Sequence, residues 1–494
     1  MVNIIMKTVS SNPKTALKLY NTLSKKIEGF VPVTPGKVTI YNCGPTVHRV
    51  HTQIGNLRSY TFSDLVKRYF IYLGYKTEHV TKITDVDDHT IAESASEGTP
   101  LKEYTQKNFD DFVKQLGILN LIRPTYLPKV TDHIDDIVKD IKKLKELGYT
   151  YESNGSTYFS INKVENYGQL INLERQEALK KNAQGRMEDF SMEEKENTND
   201  FCLWKAWTPD EGEVFWNTEL GKGRPGWHVE CSVISRKYLG ETVDIHIGGI
   251  SHIFPHHTNE IAISEAITHK RFVNYWLHHD YLIVDGKKMS KEDGTFYTLN
   301  DVLSRGYHPS VLRYVLLKTH YRQLLNFTWR AMEEVKTALA KIIRFLLWLD
   351  GVKNEKENKY SVSTDIKTCN EDFMKGMNND LNFSEAMGSI FDFISNVNKQ
   401  GAIINQKQAK EVYNFIMSID SVLGFVDHAY KDYLQRLDKL IEANELKSVI
   451  SQRLKAREDK EFNLADELGK QITAAGVRYT DSKDGSSYLE IAEP

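Results

Sequence analysis

Seven consecutive residues, Phe254-Pro255-His256-His257-Thr258-Asn259-Glu260, bring two imidazoles and a carboxylate within one helical turn. A proline near the start of the helix puts either His256 (i, i+4) or His257 (i, i+3) on the face of Glu260, so one imidazole and one carboxylate can meet a single ion. Cys231 upstream and Cys43 at a predicted strand end complete a two-Cys, one-His, one-Glu set of the kind that holds zinc. Spacing alone leaves open that the histidines only cap or pack and the cysteines are core, because no two cysteines are close in sequence.

A second cluster runs from Asp285 to Gly294 and contains Lys287-Lys288-Met289-Ser290-Lys291 between two glycines. Such a loop can close over a polyphosphate, its ammonium groups offsetting the charge that builds on departing pyrophosphate; alternatively it is a solvated basic turn. No Walker A sequence occurs. Gly221-Lys222-Gly223-Arg224-Pro225-Gly226 matches a GxGxxG pattern but follows no clear strand, and Pro225 stands where a helix would open, which argues against dinucleotide binding.

These residues need elements to carry them. Residues 37–44 (KVTIYNCG) read as a buried strand, 57–73 have the helical period through Phe62, Leu65, Val66, Tyr69 and Phe70, and 76–84 are strand-like again. That is the βαβ unit of a doubly wound parallel sheet, with Cys43 at a strand end where ligands bind. The rhythm lapses from 108 to 210 and returns at 243–247 (VDIHI), so an insertion between two halves of one sheet is expected. From Pro309 the pattern is helical, with a polar linker near 351–365. A charged helix is expected up to Gly476, followed by a β-like end turning at Asp484-Gly485. The expected division is 1–15 N-terminal extension, 16–107 first half of the Rossmann-type catalytic domain, 108–210 connective insertion, 211–308 second half, 309–427 helical bundle and 428–494 C-terminal module.

With 494 residues, 27% of them charged and 40% hydrophobic, the chain is too long for one core and too apolar for disorder. Its net charge of −3 gives no global argument for a nucleic-acid partner, and 442–494 holds 8 basic against 11 acidic residues. No stretch approaches the ~18 uninterrupted apolar residues of a membrane span, and no apolar leader precedes a cleavage site, so a cytoplasmic address is expected. Four scattered cysteines cannot form a disulfide scaffold.

Taken in order, Cys43-Gly44-Pro45-Thr46-Val47, Gly226-Trp227-His228-Val229-Glu230-Cys231-Ser232, Phe254 to Glu260 and Lys288-Met289-Ser290-Lys291 resemble the cysteine-tRNA ligases, the cysteinyl-tRNA synthetases of class I. Ile83-Thr84-Asp85-Val86-Asp87-Asp88 and the stretch from Ala456-Arg457 to Gly485 share the likeness, which runs from about residue 17 to about residue 490. The resemblance implies an α/β, class I Rossmann-type doubly wound parallel sheet with an insertion, then an α-helical bundle and a small C-terminal anticodon-binding module. It implies activation of L-cysteine by ATP, with Mg2+, to cysteinyl-adenylate and transfer to the terminal adenosine of tRNA(Cys) by a monomeric enzyme.

By the same resemblance, one zinc ion is held by Cys43, Cys231, His256 and Glu260, selecting the substrate thiolate over a serine hydroxyl without editing. Gly44, Thr46 and Trp227 line the amino-acid pocket. ATP is held by Gln53-Ile54-Gly55-Asn56 and by Lys288-Met289-Ser290-Lys291, with Gln53, Gly55, Asn56, Lys288 and Lys291 catalytic. The chain departs from the family in several places. Gln53 replaces the leading signature histidine, one extra residue follows Cys43, Glu292 replaces the final serine, and His246-Ile247-Gly248-Gly249 with Ser251 replaces a glycine-richer, more acidic stretch. Either Gln53 donates in the histidine's stead or the extra residue turns His51 inward. Anticodon reading falls on Arg457, Phe462, Asp466 and Asp481, where an aromatic can stack on an unpaired base and Arg with Asp can read base edges. Three rivals remain: a cysteine ligase with a small amino-sugar acceptor, a catalytically silent relative that binds RNA or protein, and a zinc hydrolase. The residues beyond Asp350 oppose the first, the zinc set and loop lysines the second, and the lack of a His-Glu-x-x-His helix the third.

Overall fold

The structure is a computed structural model that describes residues 16–48, 52–171, 195, 197, 199–290, 292–400, 404–481 and 487–492. Its chain separates into two compact units, residues 1–302 with 319–327 and 378–381, and the remainder.

The first unit opens with an antiparallel hairpin, β1 (Lys18–Asn21) and β2 (Lys26–Gly29), then β3 (Lys37–Asn42), α1 (Ile54–Tyr72) and β4 (Lys76–Thr81). After α2 (Asp88–Ser96), α3 (Leu101–Ile118) and α4 (Ile134–Glu146) come five short strands, β5 (Thr150–Ser153), β6 (Ser156–Phe159), β7 (Phe201–Ala206), β8 (Trp216–Thr218) and β9 (Gly221–Pro225). The Rossmann pattern resumes with α5 (Trp227–Leu239), β10 (Val243–Gly249), α6 (Thr258–Thr268) and β11 (Val273–His279). Then follow β12 (Leu282–Val284), β13 (Lys287–Lys288) and α7 (Leu299–Ser304).

The central sheet has the order β11-β10-β3-β4 with every pair parallel. All but one residue of β3 and of β10 are buried, as a parallel sheet covered on both faces requires. From β3 the winding proceeds outward to β4, and from β10 outward to β11. The crevice between β3 and β10 is therefore the topological switch point, where ligands of such sheets bind beyond the carboxyl ends. Cys43 follows β3, and Gly248-Gly249 end β10.

The inserted segment forms an antiparallel sheet of order β5-β6-β7-β9-β8 that runs on to Pro225, beyond the expected end at 210. The GxGxxG run lies in this sheet, on the strand between β7 and β8. That run forms strand β9 and not a phosphate-binding turn after a strand of the parallel sheet, and Gly223 is required there because a Cβ would stand 2.1 Å from the Lys205 carbonyl oxygen. Lys205 Nζ and Arg224 join Asp88 and Glu211 in a half-buried ion-pair network, tying this sheet to the start of α2.

The second unit comprises α8 (Pro309–Lys318), α9 (Trp329–Gly351), α10 (Val362–Asn378), α11 (Phe383–Lys399), α12 (Gln406–Leu423), α13 (Val426–Ala443), α14 (Leu446–Glu458), α15 (Phe462–Ala474) and the hairpin β15 (Val477–Asp481) with β16 (Ser487–Ile491). Between α8 and α9 the chain returns to the first unit through β14 (Leu325–Phe327), which pairs parallel to β12. The long charged helix expected up to Gly476 is two helices, broken at 459–461, where Lys460 takes a left-handed conformation (φ 60°). The break lets α15 fold back on α14 so that Leu446, Ile472 and Val477 share a core. Residues 107 and 108 both lie in α3 and 427 and 428 both lie in α13, so the chain passes those points as continuous helix. The turn at Asp484-Gly485 lies outside the described residues.

Candidate metal and nucleotide site

At the switch point four side chains from three elements converge. Cys43 leaves β3, Cys231 is on the first turns of α5, and His256 and Glu260 flank the start of α6. The helix itself begins at Thr258; before it, Ile253–His257 form a wide turn with a cis Phe254-Pro255 bond. Cys43 Sγ lies 3.9 Å from Cys231 Sγ and 3.7 Å from Glu260 Oε1. His256 Nε2 lies 3.4 Å from Cys231 Sγ and 3.0 Å from Glu260 Oε1.

Two zinc–sulfur bonds of about 2.3 Å in a tetrahedron hold their sulfurs roughly 3.8 Å apart, so the donor set fits a single zinc-sized ion. The second arrangement left open by the sequence is present as well. His257 Nε2 is 3.4 Å from Cys43 Sγ and 3.9 Å from Glu260 Oε1, and Cys43, His246, His257 and Glu260 form an alternative four-donor group.

The surroundings fix the donors. His256 shares an Nδ1–Nδ1 hydrogen bond with His228 (2.9 Å), leaving Nε2 directed at the cluster, and Trp227 stacks on its ring at 3.9 Å. His246 Nε2 bonds Glu260 Oε2 (2.9 Å), His257 Nδ1 bonds His278 Nε2 (2.7 Å), and Trp276 stacks on His246. Buried Lys82 donates to Glu230 (2.7 Å) and Thr84 (2.5 Å) beside Cys231. Burial opposes ionisation of the Cys231 thiol, but the hydrogen bond from Cys43 and the Lys82 charge overcome it and hold Cys231 well below the usual thiol range. Burial and the neighbouring Cys231 push Cys43 the other way. Burial likewise opposes a charge on His256, yet Glu260 and Cys231 raise it to about 9. The cluster thus already favours an anionic sulfur among hydrogen-bonded partners, the electrostatics a cation needs.

Gly44 and Thr46 run beside the cluster. A Cβ on Gly44 would stand 1.4 Å from the Lys82 carbonyl oxygen, while Pro45, Thr46 and Val47 are tied to Thr84 through backbone bonds. Trp227 reaches the cluster from the opposite side through His256.

On the nucleotide side, Gln53 is the residue before α1, so that helix opens at Ile54-Gly55-Asn56, where the Asn56 amide bonds back to the Gln53 carbonyl (3.0 Å). Gln53 Nε2 donates to Asn56 Oδ1 (3.2 Å). Ile54 N bonds Tyr297 O, and Gln53 forms a bridge with Thr298, which brings the segment after the lysine hairpin to the helix start. Met289 lies over Gly55, its terminal carbon 2.7 Å from where a Cβ would be. Lys288 is exposed on β13, and Ser290 Oγ accepts from the Glu292 and Asp293 amides to shape the turn. His51 and Lys291 lie outside the described residues.

The expected anticodon residues belong to the second unit. Asp481 accepts from Arg457 (3.3 Å) and from Arg453 (2.9 Å), the Arg457 guanidinium stands 6.0 Å from the Phe462 ring, and Phe462 is 56% exposed. Asp466 is exposed on α15, one turn after Phe462. Sequence reasoning missed Arg453, buried and stacked on Tyr479 at 3.9 Å. Its i, i+4 spacing from Arg457 was the available signal. Lys82, His278 and Trp276 were missed too, and no local pattern marks them, since each meets the cluster only through the sheet.

Comparison with known proteins gives the family likeness of the chain. A family model of the class I (C) tRNA synthetase catalytic domain matches residues 29–337, and one of the DALR domain matches 372–427. Curated relatives described as cysteine–tRNA ligases include that of Brachyspira hyodysenteriae, 39% identical over 468 residues (94% of this chain, 98% of that protein). Those of Chlamydia trachomatis serovar A (38% over 490 residues; 96% and 100%) and Solibacter usitatus (37% over 472; 95% and 98%) are similar. Among solved structures, a Mycobacterium tuberculosis methionyl-tRNA synthetase with methionyl-adenylate superposes with TM-score 0.59 at 13% identity (93% of this chain, 98% of that chain). A LeuRS–tRNA–LeuAMS complex from Agrobacterium radiobacter K84 gives 0.58 at 11% identity (82% and 85%). At those identities the superpositions speak for a shared fold.

Proposed function

The chain belongs to the class I cysteine–tRNA ligase family, and from that premise we propose how its own residues carry the ligation. The enzyme joins L-cysteine to ATP and passes the cysteinyl group to tRNA. In the first step a carboxylate oxygen of cysteine attacks the α-phosphorus, the bond to the β-phosphate bridging oxygen breaks, and pyrophosphate leaves. In the second, a ribose hydroxyl of the terminal adenosine attacks the cysteinyl carbonyl and AMP leaves.

Cys43, Cys231, His256 and Glu260 are the proposed holders of one zinc ion, with the two sulfurs favouring that set over the one built on His257. Zinc bound there supplies a thiophilic centre that prefers the thiolate of cysteine to the hydroxyl of serine. Trp227 keeps His256 in place by stacking, and Gly44, which lets the chain pass close against the Lys82 backbone, lines the amino-acid pocket with Thr46. Gly55 and Asn56 at the start of α1 receive the adenine and phosphates of ATP, which carries Mg2+. Lys288 and Lys291 offset charge growing on pyrophosphate, with Met289 and Ser290 shaping their loop. Gln53 supplies its amide in place of the usual histidine. Arg457, Phe462, Asp466 and Asp481 read the anticodon of tRNA(Cys) from the C-terminal module. The enzyme acts as a cytoplasmic monomer, with the catalytic part ending near 308 and the bundle near 427.

The observation that carries the site assignment is the convergence of four zinc-type donors on the switch point of the sheet. Full-length similarity that includes the DALR region leaves a small amino-sugar acceptor without support. The test is cysteine-dependent exchange of labelled pyrophosphate into ATP by metal-analysed protein, with serine as control. Exchange with cysteine alone and one zinc per chain is expected; equal exchange with serine, or full activity in metal-free protein, would end the zinc assignment.

A further inference from the structure

Arg58 is the fifth residue of α1, one turn beyond the Gln53-to-Asn56 segment, and it is only 2% exposed. Among the described residues its guanidinium forms no ion pair within 4 Å, although the Asp280 carboxylate is near enough to favour its charge, and it donates to backbone carbonyls of two separate segments. Nη1 reaches Asp280 O (2.8 Å) and Tyr281 O (2.6 Å), while Nη2 reaches Gln323 O (2.8 Å), Tyr321 O (3.4 Å) and His320 O (3.5 Å). One turn later Phe62 stacks on Tyr321 at 4.5 Å, so α1 holds the second segment twice.

Those two segments lead directly into strands. Tyr281 precedes β12 and Gln323 shortly precedes β14, and the small sheet has the order β13-β12-β14. One planar fork therefore pins the entrances of two of its three strands. The third strand, β13, carries Lys287 and Lys288; it pairs with β12, and the Lys288 carbonyl also accepts from Thr295 Oγ1 (3.1 Å). We propose that Arg58 is a positioning residue for adenylation: by fixing the entrances of β12 and β14 to α1, it sets where the lysine hairpin stands relative to the start of that helix. The inference rests on the reading of Lys288 as a residue for the ATP phosphates. Lysine cannot replace arginine here, because three donors on one nitrogen cannot span carbonyls on both sides as a guanidinium does.

Interactions with departing pyrophosphate strengthen in the transition state, so a displaced hairpin lowers kcat more than it raises KM for ATP. The experiment compares Arg58→Lys with Lys288→Ala in cysteine-dependent pyrophosphate exchange, alongside the rate of tryptic cleavage after Lys287 and Lys288 in the folded full chain. Arg58→Lys is expected to lower kcat about tenfold, leave KM for cysteine and zinc content within twofold, and speed cleavage of the hairpin severalfold. Unchanged kcat in Arg58→Lys beside a crippled Lys288→Ala overturns the positioning role while leaving Lys288 as read. Unchanged activity in Lys288→Ala overturns the reading of the loop and the inference with it. A fall in kcat matched by an equal rise in KM for cysteine, with hairpin cleavage unaltered, marks a general loss of structure and also overturns it.

Discussion

Cys231 is surrounded by Cys43, Lys82 and His256, and its low thiol pKa comes from those neighbours acting against burial. Cys231→Ser removes the sulfur while keeping nearly the same volume. It is expected to abolish stoichiometric zinc and to lower cysteine-dependent exchange at least a hundredfold, checked by metal analysis beside the exchange assay. Gln53→Ala deletes one neutral amide donor and leaves the helix start intact. One such bond corresponds to about 1 kcal/mol, so roughly a fivefold fall in adenylation kcat is expected, measured with saturating cysteine. Cys231 was readable as a metal-type donor from residue type, beside the i, i+4 spacing of His256 and Glu260, whereas Gln53 was marked only by the resemblance to the synthetase signature. Lys82 was not legible: its ammonium meets Glu230, 148 positions away, through the packing of α5 on the sheet.

The connection from β3 to α1 is shaped by close backbone approach. Gly44→Ala would drive a methyl group into the Lys82 carbonyl, which belongs to the strand-end segment after β4 and cannot rotate aside as a side chain would. A loss of about 3 kcal/mol or more is expected from such overpacking, checked by denaturant unfolding of the full chain. Gly55→Ala differs, because its methyl would meet only the flexible end of Met289. The parallel-sheet elements were legible because β3 and β10 repeat Val and Ile at alternate positions (Val38, Ile40; Val243, Ile245, Ile247) and α1 keeps its 3.6-residue period. The inserted sheet was not: its strands are three to six residues long, and the pairing that joins its two halves, β6 with β7, spans 40 or more residues. The α14–α15 break escaped detection for a related reason. Asp459, Lys460 and Glu461 are all compatible with helix, and only the packing of Leu446 against Ile472 and Val477 makes the turn favourable.

Across the whole molecule the donor cluster lies in the first unit and the proposed anticodon residues lie in the second. Phe462→Ala removes an exposed ring of the second unit, so kcat/KM for tRNA in aminoacylation is expected to fall ten- to a hundredfold while cysteine-dependent exchange is unchanged. Acid stability belongs to the first unit's interior. Burial, aided by Lys67, lowers His79 from its ordinary value to about 3. Between that value and about 6.5 the unfolded chain binds a proton that the folded chain does not, so stability falls as pH drops through this window. His79 alone contributes about 1.4 kcal/mol per pH unit to that slope. Denaturant unfolding at pH 7 and pH 5 should show the loss, and His79→Gln should reduce it.

Residue chemistry and local period were enough to establish the donor types, the order of the signature segments, the βαβ beginning and the helical C-terminal half. The tertiary structure alone decided which distant groups meet: Cys43 with Cys231 across 188 positions, Lys82 with Glu230 across 148, and Arg58 with five carbonyls of two remote segments. The physical reason is that spacing along one helix or strand follows from backbone geometry, whereas contacts between elements depend on how all the buried faces pack together.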